Sequence, residues 1–305
     1  MSLLQDNTNN INIHDLSLQN NQNTQKWNER QKFYSSNSIV PVSTLSFDAY
    51  EELLWCGSEL GRLSSYFYNE SQFMSYTSFK SHTSQVRQIL STDAGVFSLS
   101  SGNIRLTCRR GLQKWDYTPE TIKDFYCMSF TENPSEIVIG GSIDSLLVMN
   151  VNRGAITNKI DTTDNTIIMK KTKQIFCASS SGYVYMRDPR SFKVENKIQV
   201  HNGTISDIDV NNNILATCGF SQRGNMALDP MIKLFDIRTM KSLDPIPLEN
   251  GPSFLKFHPK YSSVLTSVSQ SGELIIVNIN NPSEIEYYEV IKKFYPYIYI
   301  TTFYI

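Results

Sequence analysis

Six short β-type runs in this 305-residue chain end on an apolar anchor, and the anchors recur at a nearly constant interval. They are Phe47 in VSTLSF, Leu90 in VRQIL, Phe130 in YCMSF, Met169 in TIIM, Val210 in ISDIDV and Phe257 in SFLKF. The steps between them are 43, 40, 39, 41 and 47 residues. A period of roughly 40–45 residues built from short strands is that of a four-stranded β-propeller blade. The one long step has a visible cause, an insertion from Ser221 to Asp229 (SQRGNMALD). The sequence therefore reads as all-β, with six recognisable four-stranded blades of an expected seven.

The interior of each unit repeats as well. A second strand ends in small residues: LLWCGS, VFSLSS, EIVIGG, IFCASS, ILATCG and VLTSVS. A third follows a Gly or Ser turn, as in GRLSSYFY and GNIRLTCRR, or reads SLLVMNV, GYVYMRD, MIKLFDI and GELIIVNI. Small residues suit a second strand held tightly between neighbouring blades. Cys56, Cys177 and Cys218 share one repeat position, eight or nine residues after the anchor, where their role is to be small and apolar. The five cysteines are widely spaced with no C-x-x-C pair, which opposes a disulfide framework or a zinc knuckle.

Composition narrows the class. A net charge of −1 argues against attachment to nucleic acid or anionic lipid by bulk electrostatics. The 16 Tyr and 16 Phe, with 19% charged residues, favour strands over solvated helices. Residues 1–38 differ from the rest: Asn and Gln crowd them and apolar residues are few, so they read as a disordered leader, with a condensate-forming tract as the alternative. No secretory leader and no apolar stretch of membrane-spanning length of ~20 residues is visible, so no membrane partner is expected. The propeller is assigned to 39–290 and an atypical Ile/Tyr/Phe-rich tail to 291–305.

Two third strands end in Asp-x-Arg, Asp188 with Arg190 and Asp236 with Arg238, matching the degenerate ending of a WD40 repeat. His82 and His201 stand where that repeat places its Gly-His, each four residues before a strand-starting apolar residue. Together these six residues are expected to form the structural WD40 network, in which a loop histidine bonds an aspartate in a tight turn. Signatures of hydrolases, zinc proteases, P-loop NTPases and dinucleotide-binding folds are all missing. Asp207 and Asp209 are the nearest approach to a two-metal pair, since residues two apart on a strand share a face; a solvated strand edge explains them equally well. Arg109 and Arg110 at a strand end are candidates for a phosphate or partner-carboxylate contact. No catalytic, cofactor-binding or metal residues are assigned.

Read together, VSTLSFDAYEELLWCGSELGRLSSYFY, LTCRRGLQKW, IVIGGSIDSLLVMNVNRG and LDPMIKLFDIRTMKSLDPIPL resemble the N-terminal WD40 region of the WD40-bearing, catalytic subunit of the poly(A) nuclease (PAN) deadenylation complex. The most specific piece is the insertion leading into Leu228-Asp229-Pro230 and the Asp-Ile-Arg-Thr-Met close. The resemblance implies a non-catalytic docking propeller for a pseudokinase regulatory subunit and, indirectly, for poly(A)-binding protein on mRNA, in the cytoplasm. It also implies a poly(A)-specific 3′-exoribonuclease whose metal-dependent nuclease domain lies far beyond this region. No D-x-E exonuclease motif occurs here, so this chain is expected to have no enzyme activity and no cofactor, divalent metal belonging to the nuclease domain alone. The alternative is a generic WD40 scaffold or adaptor in another intracellular complex. The tail IKKFYPYIYITTFYI resembles no blade strand set and reads as translation past an exon boundary or a frame error. An open six-blade arc with such a tail is expected to be poorly soluble.

Overall fold

The computed structural model of the chain describes residues 41–69, 72–120, 124–221 and 227–289; the leader at 1–38 and the tail at 291–305 lie outside them. Among the described residues every regular element is a strand, and no helix is long and apolar enough to cross a membrane. Blade 1 comprises β1 (Val42–Phe47), β2 (Leu53–Ser58), β3 (Arg62–Asn69) and β4 (Gln72–Lys80). Blade 2 comprises β5 (Val86–Thr92), β6 (Gly95–Ser100), β7 (Ile104–Thr107) and β8 (Gln113–Tyr117). Blade 3 comprises β9 (Phe125–Phe130), β10 (Glu136–Gly141), β11 (Ser145–Asn150) and β12 (Ala155–Asp161). Blade 4 comprises β13 (Ile168–Lys171), β14 (Ile175–Ala178), β15 (Tyr183–Arg187) and β16 (Val194–Gln199).

Blade 5 begins with β17 (Ile205–Asn211), β18 (Ile214–Ser221), β19 (Ala227–Leu228) and β20 (Met231–Asp236). Its outer position is split between β21 (Lys241–Ser242) and β22 (Ile246–Pro247), both paired to β20. Pro245 and Pro247 lack the N–H an unbroken outer strand would donate. The inserted residues extend β18 into a side hairpin with β19. Blade 6 comprises β23 (Pro252–Phe257), β24 (Val264–Ser269), β25 (Glu273–Asn278) and β26 (Asn281–Glu289). Each blade is an antiparallel meander packed on the next, and the six described blades make up a β-propeller, as the repeat predicts.

Burial explains the strand compositions. β2 and β6 are buried at every position, whereas β16 is open at all but one, in keeping with its sequence VENKIQ. Apolar clusters straddle successive seams. One joins Phe97, Leu99 and Ile104 to Phe125, Met128 and Ile137; another joins Leu234 and Ile246 to Leu255, Phe257 and Leu265. The small residues of the second strands are forced by this closeness. A Cβ on Gly57 would lie 2.8 Å from Val86 of the next blade, and one on Gly140 would lie 2.9 Å from Thr166.

Innermost strands of adjacent blades belong to separate sheets, so side chains satisfy their outward backbone groups. The Gln88 amide donates to Met128 O (3.0 Å) and accepts from Met128 N (2.7 Å) across the seam between blades 2 and 3. Ser43 Oγ donates to Val86 O at 2.6 Å between blades 1 and 2.

Candidate functional site

In a four-stranded meander the turns alternate between two ends. The second turn and the link to the next blade share one rim, called here the entry rim; the first and third turns share the far rim. The six residues of the expected WD40 network therefore divide. His82 and His201 lie on links at the entry rim, while Asp188, Arg190, Asp236 and Arg238 lie at third turns on the far rim.

At the entry rim each histidine is buried and doubly bonded. His201 Nδ1 lies 3.1 Å from Asp229 Oδ2 and its Nε2 lies 3.1 Å from Thr217 Oγ1. Although burial raises Asp229, hydrogen bonds from Lys233 and His201 outweigh that and hold its carboxyl below the usual range. An ionised carboxylate only accepts, so Nδ1 carries the proton and Nε2 accepts from the Thr217 hydroxyl. His82 repeats this with Asn103 replacing the aspartate: Nδ1–Asn103 Oδ1 is 2.6 Å and Nε2–Ser98 Oγ is 2.7 Å. The Asn103 amide donates onward to Asp116, which Arg105 pairs at 2.6 Å. Each unit ties a link, a second strand and a second turn together.

Burial, followed by the Lys233 charge and against the pull of Asp229, lowers the His201 imidazole to about 4. Below the unfolded-state value the unfolded chain binds the proton that the folded ring refuses. Stability is thus fully present above about pH 6.5 and is lost as pH falls toward 4, by up to about 3 kcal/mol. Denaturant titrations at pH 7 and pH 4.5 should show the His201→Asn variant with a visibly shallower pH dependence than the wild type. Equal slopes would remove His201 as the cause.

The far-rim aspartates cap tight turns. Asp188 Oδ2 accepts from Ser191 N at 2.8 Å and from Ser191 Oγ at 2.6 Å; Asp236 Oδ1 accepts from Arg238 N at 2.9 Å. Four residues on, Phe192 and Met240 adopt left-handed φ of 58° and 57°. Asn150 caps a third copy of the turn and Gly154 takes its left-handed place with φ 64°. The Asp-x-Arg ending is thus the start of a five-residue turn. Arg190 is exposed, and among the described residues the Arg238 guanidinium reaches its own cap, Asp236, at 3.5 Å.

Asp207 and Asp209 share a face of β17, but each faces the backbone of blade 6. Asp207 Oδ2 accepts from Leu255 N at 3.0 Å, and Asp209 Oδ2 accepts from Phe257 N at 2.8 Å. Among the described residues no group of three or more His, Cys, Asp or Glu could hold a metal. The cysteines at the shared repeat position are buried, which raises the Cys56 thiol to about 12 and Cys177 to about 11; neither is a nucleophile at neutral pH.

Arg109 points inward. Its Nε and a terminal nitrogen donate to both oxygens of Asp48 in blade 1, at 2.9 and 2.7 Å, and the same terminal nitrogen reaches Thr92 O at 2.7 Å. Asp48 also accepts from Trp55 Nε1 at 3.0 Å and from Tyr50 N at 2.9 Å. Arg110, its neighbour, is exposed. Beside the Asp48–Arg109 clamp a groove of about 390 Å³ opens, lined by Glu51, Glu52, Leu53, Phe67, Tyr76 and Arg109. Tyr76 of this lining is exposed, as is Tyr50, whose ring centre lies 5.7 Å from the Arg109 guanidinium carbon. Of the residues lining the groove the sequence alone singled out Arg109, together with Arg110 beside it. The available signal was the acidic first turn DAYEE directly before the Leu53–Ser58 strand.

A family model described as PAN2 N-terminal matches residues 30–295. The chain is 38% identical over 260 residues to the PAN2-PAN3 deadenylation complex catalytic subunit of Schizosaccharomyces pombe, covering 84% of this chain and 24% of that protein. It is 35% identical over 247 residues to the subunit of that name from Emericella nidulans, covering 79% and 21%. The chain thus spans about a quarter or less of the length of these curated relatives. Among solved structures, the Pan2 WD40 domain of Neurospora crassa superposes with a TM-score of 0.74 at 29% identity, over 84% of this chain and 81% of that one. A computationally designed protein, Ika8, shares the fold alone, with a TM-score of 0.62 at 16% identity.

Proposed function

This chain belongs to the PAN2 N-terminal family, and on that premise we propose that its propeller is the non-catalytic docking module of a deadenylation-complex subunit. Residues 30–295 correspond to the family's N-terminal WD40 region, and a nuclease domain is not among them. The relatives are named as subunits of a PAN2-PAN3 complex, which supports Pan3, the pseudokinase regulatory subunit, as the partner docked here. Poly(A)-binding protein on mRNA is the second, indirect partner, and the cytoplasm is the compartment in which both would be met. The observation that carries this reading is the family match across residues 30–295, which takes in every described blade.

The test mixes the purified chain with Pan3 from the same organism, and separately with poly(A)-binding protein loaded on poly(A), followed by size-exclusion chromatography. Co-elution with Pan3, without shortening of the RNA, is the expected result. Separate elution from both would overturn the docking assignment.

A further inference from the structure

The far-rim groove between blades 1 and 2 has a composition that points to a particular ligand. Its floor is the buried Leu53, its aromatic walls are Phe67 of β3 and Tyr76 of β4, and Tyr76 is 46% exposed. Glu51 and Glu52, both exposed on the first turn of blade 1, stand over it. Among the described residues neither carboxylate takes part in a hydrogen bond or an ion pair within 4 Å. Arg109 closes the groove, but its charge is matched by Asp48, whose side chain has 0% exposure. Its nitrogens are further tied to the carbonyls of Thr92 and Asp93. Asp48 and Glu51 both act on the Arg109 charge, and Asp48, Glu51 and Glu52 set against Arg109 leave the groove with a net excess of negative charge beside two aromatic rings.

We propose that this groove receives a lysine or arginine side chain presented by an extended segment of a partner protein. An ammonium or guanidinium group gains from the ring quadrupoles of Tyr76 and Phe67 and from the two carboxylates at once. Its alkyl stem lies on Leu53 and the aromatic walls, the usual way a long basic side chain covers apolar surface. The same carboxylates repel phosphate, so the groove selects a basic peptide over a nucleic acid strand. Leu112, 74% exposed on the turn that carries Arg109, offers apolar contact to residues flanking the basic one. This inference holds whichever protein presents the side chain, and so stands apart from the assignment to a deadenylation complex.

The experiment is a fluorescence-anisotropy titration of the full chain with short labelled peptides of alternating lysine and alanine, and of arginine and alanine. A glutamate–alanine peptide and labelled oligo(A) serve as competitors of other chemistry. Saturable binding of the basic peptides is expected. The Glu51→Gln/Glu52→Gln double variant should weaken it about tenfold, and Tyr76→Ala about fivefold, both with unchanged melting temperature. Glu195→Gln, the removal of one carboxylate on blade 4, should leave binding as it is. The proposal fails if the wild type does not bind, if the double variant binds equally well, if Glu195→Gln weakens binding as much, or if oligo(A) is preferred.

Discussion

Replacing Asp48 with alanine should cost about 3–5 kcal/mol, the typical penalty for removing one partner of a buried ion pair. The side chain has 0% exposure, and both oxygens are taken by the Arg109 guanidinium of the next blade. Trp55, buried at 0% exposure, directs its indole N–H to one of the same oxygens, and the backbone N–H groups of Tyr50 and Glu51 reach the other. Alanine leaves a mostly buried guanidinium and a buried indole N–H without their acceptor. Burial alone raises the Asp48 carboxyl, but the bonds from Arg109, Tyr50 and Trp55 outweigh it and hold the group below the usual range. Its stabilising contribution is therefore present above about pH 4 and lost as pH falls through that lowered value. Urea denaturation at pH 7 checks the prediction. The midpoint should drop sharply for Asp48→Ala, less for Asp48→Asn, which keeps one acceptor, and little for Asp236→Ala at an exposed turn. A midpoint for Asp48→Ala close to that of the wild type would refute the clamp.

The propeller was legible because a blade is a local object. Four short strands and three turns fall within some forty residues, so anchors such as Phe47 and Leu90 keep their period whatever the propeller does around them. Turn chemistry was legible only where a charge marked it. Asp188 and Asp236 stood out, whereas Asn150 and Gly154 perform the same cap and left-handed step with neutral residues. Contacts across seams were not legible. Arg109 and Asp48 are 61 positions apart, and nothing in Arg-Arg-Gly distinguishes a guanidinium turned inward from one facing solvent. The His201–Asp229 bond joins residues 28 apart across the insertion. The histidine and the Leu-Asp-Pro phrase were both visible in the sequence, but their meeting was not. The first partnership depends on how one blade leans on the next, the second on how the inserted turn folds back over its own blade.

The seam between blades 5 and 6 should yield in a distinctive way when its two carboxylates are neutralised. Asp207 and Asp209 supply the acceptors for Leu255 N and Phe257 N, backbone groups of β23. Asp207 uses its second oxygen for Ile208 N, and Asp209 draws in the Lys256 ammonium at 3.3 Å. An asparagine offers one acceptor oxygen, so at position 207 its amide nitrogen would confront an N–H. Each Asp→Asn change should therefore cost about 1–3 kcal/mol, and the pair less than the sum because the sites are adjacent. Leu234 and Ile246 still pack on Leu255, Phe257 and Leu265, so blade 6 is not released outright. It should instead open locally before the rest of the propeller. Hydrogen exchange on Asp207→Asn/Asp209→Asn reads this directly. Slowly exchanging amides within Pro252–Glu289 should speed up by about 10²–10³, while those of blades 1–4 hold their wild-type protection. Uniform loss across all six blades would mean that the carboxylates stabilise the propeller as a whole, and unchanged protection would mean that the apolar seam alone holds the last blade in place.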